Sequence, residues 1–151
     1  MVGTGNTAVV NVGRLLEIRI ALGFRNVSYI EDHFADIRAE IRKVPLSDRI
    51  VIAADWRFCR VMSTEATDVL VANLARQNRR IERSAILASA NSPSTVLQFA
   101  RLVREGGSPH RRLFMDADEM TLWLDEVLAR DERQRLIQFL GEPIDSFGPA
   151  S

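Results

Sequence analysis

The chain holds one cysteine, two histidines and a single lysine. None of its 151 residues belongs to an apolar stretch near the roughly 20 residues that a membrane-spanning helix requires. A lone Cys59 excludes an intramolecular disulfide and a multi-cysteine metal site, so the cytoplasm is the expected location. His33 and His110 are far apart and neither has a partner at a metal-ligand spacing, so no metal and no cofactor is expected. Net charge is missing too: twenty basic residues cancel twenty acidic ones, leaving no global field to attract nucleic acid or an anionic membrane. The first ten residues, MVGTGNTAVV, have neither a basic start nor an apolar stretch of signal-peptide length, so no export signal is expected.

What is present is ordinary globular material, 46% hydrophobic and 26% charged. This length buries one proper core, which predicts a single α/β domain over residues 8–141, a flexible N-terminus over 1–7 and a flexible tail over 142–151. Residues 8–12 and 15–22 read as a β-hairpin. In its second strand Leu16, Ile18 and Ile20 alternate with Glu17 and Arg19, the period of a strand with one wet face. Ser28 and Glu31 fit a capping box, and Ile30, Phe34, Ile37 and Ile41 then form one apolar stripe, ended before Pro45. Residues 49–55 are continuously apolar between Arg49 and Asp55, as expected of a central strand covered on both faces. A loop leads to a second helix at residues 63–77, followed by a strand at 84–88. Ser92 and Pro93 open a third helix with a stripe of Val96, Phe99, Ala100 and Val103, stopped at Gly106 and Gly107. Residues 113–115 read as a short edge strand, Asp116 or Asp118 as the cap of a fourth helix, and residues 131–140 as a last helix. The expected fold is α/β: a mixed open sheet of about five strands, an N-terminal hairpin then βαβαβα units, covered by four to five helices.

This order resembles the STAS fold, and within it the SpoIIAA-like group of anti-sigma-factor antagonists. The residues that carry the resemblance are the apolar strand ending in Asp55, the turn Met62-Ser63-Thr64 into a helix, and Arg112-Leu113-Phe114-Met115-Asp116 leading to Trp123-Leu124. The resemblance implies a non-enzymatic regulatory or scaffold domain that binds a protein partner, with self-association compatible, and that is phosphorylated at the start of the second helix. Ser63 is the corresponding hydroxyl and Thr64 the second candidate. The family's motif is of Asp-Ser-Ser-Gly type, whereas Met62 precedes Ser63 here and no glycine follows. Read from the residues alone, Ser63 is a helix cap. A phosphate there would sit where helix amides favour an anion. The resemblance also implies an alternative, a carrier of a small hydrophobic ligand or lipid, with a pocket beneath the third and fourth helices lined by Phe99, Val103, Met120 and Trp123.

The partner-binding candidates are Asp55, Trp56, Arg57, Phe58, Arg60 and Met62, with Thr64 closing the segment. Aromatic residues and arginines in one loop are what interface centres use. Two placements are open for Trp56 and Phe58: a docking surface, or core beneath the second helix. Asp55 and Asp116 end strands that point the same way, and read as a loop-orienting acceptor and a helix cap. Cys59 beside Arg60 would be reactive only if that cation lowered its pKa. Arg79, Arg80, Arg83, Arg111 and Arg112 read as scattered solvated charges or a local positive patch.

Overall fold

The structure is a computed structural model that describes residues 5–142. It opens with the hairpin β1 (Thr7–Val12) and β2 (Leu15–Arg19). Gly13 in its turn has φ of 57°, a conformation that glycine adopts without the clash a Cβ brings. There follow α1 (Val27–Ile41), β3 (Ile50–Asp55), α2 (Thr64–Gln77), β4 (Ile81–Leu87), α3 (Pro93–Gly106), β5 (Arg111–Phe114), α4 (Ala117–Asp125) and α5 (Arg130–Gly141). The sheet runs β1-β2-β3-β4-β5, with β1 antiparallel to β2 and every later pair parallel. This is the mixed five-strand sheet that the apolar runs predict. Expected looseness at residues 1–4 and 143–151 lies outside the described residues.

Alternation along the strands sorts the core into two layers. Leu16, Ile18, Ile52 and Ile86 pack under α1, α2 and α3 through Ile30, Phe34, Leu70, Phe99 and Leu102. Leu15, Val51, Ala53, Ala85 and Leu87 face the other way and meet Met120 and Leu124 of α4 and Leu136 and Phe139 of α5. β3 is therefore covered on both faces and all six of its residues are buried, as its continuous apolar run requires.

The expected wet face of β2 is a correction. Glu17 is only 4% exposed and Arg19 is buried beside it, because α5 lies across this face. Arg135 of α5 grips Glu17 through two hydrogen bonds, Nε to Oε2 at 2.8 Å and Nη2 to Oε1 at 2.7 Å, while Asn11 Nδ2 donates to the same carboxylate at 3.1 Å. Glu142, which the sequence places in the tail, accepts from Arg19 at 2.7 Å and pairs with Arg135 at 3.0 Å. Arg19 also lies over the Phe139 ring at 4.5 Å. Buried charges persist only when paired, and here helix and hairpin supply each other's partners. One turn back on α5, the Glu132 carboxylate accepts the Arg14 amide at 2.9 Å and the Ala129 amide at 2.8 Å, fastening the helix start to the hairpin turn.

Helix starts also differ in detail. Asn26, not Ser28, caps α1, its side chain accepting the amides of Ser28 at 3.0 Å and Tyr29 at 3.4 Å. Both residue types cap well, and the chain enters the helix two residues earlier than the capping-box pattern places it. Ser92 makes no side-chain cap bond, although Pro93 does open α3. Asp116 caps α4 as expected, through the amides of Asp118 at 2.8 Å and Glu119 at 3.4 Å. Gly107, at φ of 79°, ends α3. Among the described residues no helix is long and apolar enough to cross a membrane.

Candidate functional site

The parallel strands bring the loops after β2, β3, β4 and β5 to one edge of the sheet, where open α/β sheets carry their sites. The loop after β3 is the most elaborate of these, and it is tied down along its length. Asp55 is buried at its base and holds Arg57, accepting from the Arg57 amide at 3.2 Å, Nε at 2.9 Å and Nη2 at 2.8 Å. The hydrogen bond to Asp55 raises the pKa of the Arg57 guanidinium, which also donates to the Leu140 carbonyl of α5 at 3.2 Å. The Trp56 amide reaches the Leu87 carbonyl at 2.9 Å and the Arg60 amide the Leu22 carbonyl at 3.0 Å. Further on, the side-chain amide of Gln98 on α3 clamps Met62, accepting from its amide at 2.8 Å and donating to its carbonyl at 2.7 Å. Ser63 then caps α2 by accepting the Ala66 amide at 3.1 Å.

Burial divides the expected partner-binding residues. Asp55 and Trp56 are not surface residues, which corrects their assignment to a docking face. Trp56 is 4% exposed and meets Phe99 edge to face, ring centroids 5.1 Å apart, because the chain turns inward over α3 as it leaves β3. Arg57 and Met62 are half-buried by the contacts above. Phe58 and Val61 are left in solvent at 50% and 54% exposure, with Arg60, Ser63 and Thr64 also exposed. Leu97, 73% exposed at the start of the second turn of α3, precedes the clamp residue Gln98. It shares with Thr64, Asp68 and Arg101 a groove of about 300 Å³ between α2 and α3. Sequence reasoning missed Leu97 and Gln98. Leu97 lies off the apolar stripe of its helix, a legible signal; Gln98 carries none.

The other candidates are structural. Cys59 is buried, and burial pushes its thiol up to about 12, so Arg60 does not create a thiolate. The four carrier-pocket residues do not meet: Phe99 and Val103 pack on one face of the sheet and Met120 and Trp123 on the other. The segregation follows from α4 crossing the sheet edge after β5, which separates it from α3. Several arginines of the expected basic patch have partners within the fold. Arg83 and Arg112 lie 4.8 and 5.0 Å from the Trp123 ring, and Arg80 donates to the Val44 carbonyl at 3.2 Å. Arg111 is buried and donates to Asn78 at 3.1 Å and to the Leu74 carbonyl at 3.3 Å, at the end of α2, where a helix favours a cation. Among the described residues no group of three His, Cys, Asp or Glu side chains is placed to hold a metal.

The fold and site thus define a three-layer α/β domain with a fastened, partly apolar loop at the carboxyl edge of its sheet. Comparison of the chain with family models, with curated proteins and with solved structures finds no match.

Proposed function

We propose that the protein is a non-enzymatic regulatory or scaffold domain, of STAS and SpoIIAA-like type, that docks a protein partner on the exposed part of the loop after β3 and the start of α2. The observation that carries this reading is the pairing of rigidity with exposure. Hydrogen bonds to Asp55, Leu22, Gln98 and Ala66 hold the loop along its length, yet Phe58 and Val61 are left exposed. A loop whose backbone is held in place before binding loses little entropy on docking, which is what an interface anchor needs. Ser63 supports the regulatory part: it is exposed, and a phosphate on its oxygen would add close to two negative charges at the edge of that surface.

Photocrosslinking from its host cells tests the reading, with the crosslinking side chain placed at position 58, 61 or, as a control on α4, 122. Positions 58 and 61 are expected to capture the same protein and position 122 not to. Equal capture from all three positions would remove the assignment. With the captured partner purified, Ser63→Asp is expected to weaken binding relative to Ser63→Ala; equal affinities would remove the phosphate switch and leave the docking face standing.

A further inference from the structure

A small cavity lies between α1, α2 and the sheet. Its walls are mostly apolar, with Ile52 and Leu70 among them, but His33, Trp56, Gln77 and Ser84 also line it. Trp56 Nε1 is buried with no hydrogen-bond partner among the described residues. The His33 ring packs on Phe24 and Phe34 at centroid distances of 5.6 and 5.8 Å, and burial lowers its pKa to about 4, so it is neutral. A neutral imidazole offers one donor and one acceptor, serine offers both, and the indole only donates. Leaving a buried donor such as Trp56 Nε1 unpaired in an apolar setting is costly, and native folds avoid it.

Volume decides what completes the set. The cavity measures about 20 Å³. That exceeds the roughly 10–15 Å³ one water requires and is far below the roughly 300 Å³ at which organic-ligand pockets begin. We propose that the cavity is a built site for one water-sized neutral molecule, water in the cell, which accepts from Trp56 Nε1 and donates to another of the polar groups that line the cavity, His33, Gln77 or Ser84. Because Trp56 is the first residue of the loop, the bound molecule anchors that loop to the wall of the cavity.

Crystal structures of the wild type before and after xenon pressurisation test this, since dry apolar cavities take up xenon and hydrated polar ones do not. The expected result is a water peak within hydrogen-bond distance of Trp56 Nε1 and no xenon. Xenon in the wild-type cavity, or a cavity with neither water nor xenon, overturns the proposal. The variant Trp56→Phe/Ser84→Ala removes two of the polar groups that line the cavity and is expected to admit xenon at the same place. The wild-type arm decides on its own if that variant does not fold.

Discussion

Lowering the pH from about 7 to about 4 forces a choice on His33. In the unfolded chain its imidazole takes a proton near its ordinary value of about 6.5, whereas in the folded protein, at 6% exposure, burial delays this to about 4. The unfolded state alone binds the proton in that window. His33 therefore contributes stability that is complete above about pH 6.5, falls as the pH drops through the window, and is gone once the folded form also protonates near pH 4. A difference of about 2.5 pH units at about 1.4 kcal/mol each amounts to about 3 kcal/mol, a large share of a typical domain's stability. Urea denaturation across this range measures it, run in parallel on the wild type and on His33→Leu so that carboxylate contributions cancel. The wild type is expected to lose roughly 3 kcal/mol more than the variant, mostly between about pH 6 and pH 4.5. Parallel curves for the two proteins would refute the claim that His33 is buried and neutral.

Four single substitutions and one double variant examine the packing beneath the site and the docking of α5. Trp56→Ala is expected to cost about 3–5 kcal/mol in chemical denaturation because it empties the contact with Phe99, whereas Phe58→Ala is expected to cost less than about 1 kcal/mol. Similar losses for the two would undo the division of the loop into core and surface. Gly13→Ala forces a side chain into a left-handed turn and against the Glu132 carboxylate, and a loss of about 2 kcal/mol or more is expected by thermal melting; a neutral result would contradict the hairpin geometry. Arg135→Met strands the Glu17 carboxylate at an expected cost of about 3–5 kcal/mol, and Glu17→Leu/Arg135→Met recovers most of it; a double variant as unstable as the single one would show that the pair does not act as a unit.

The strands and most helix ends are legible because each has a local cause. β3 reads as a central strand from its unbroken apolar run, α3 stops where Gly107 supplies a left-handed residue, and Asp116 caps the helix that follows it. The cover over β2 is not legible. Its alternation reports only which side chains are charged, and the partner that buries Glu17 is Arg135, 118 residues later. The same limit governs the site. Ser63 is recognisable as a cap from its residue type, but Trp56 and Phe58 stand two apart in a loop without periodicity, and only tertiary packing on Phe99 sends one inward and leaves the other out. Phe99 and Trp123 look like neighbours in a list of apolar helix residues, yet the sheet lies between their layers.

Docking through the loop after β3 is tested most directly by titrating the purified partner, recovered by crosslinking, against two double variants of matched stability. Phe58→Ala/Val61→Ser removes the exposed anchors, and Leu122→Ser/Ile137→Ser removes exposed apolar residues from α4 and α5 on the far side of the sheet. The first is expected to weaken binding by at least about tenfold, about 1.4 kcal/mol, with the second binding as the wild type does. Wild-type affinity in the first variant, or equal losses in both, would contradict it.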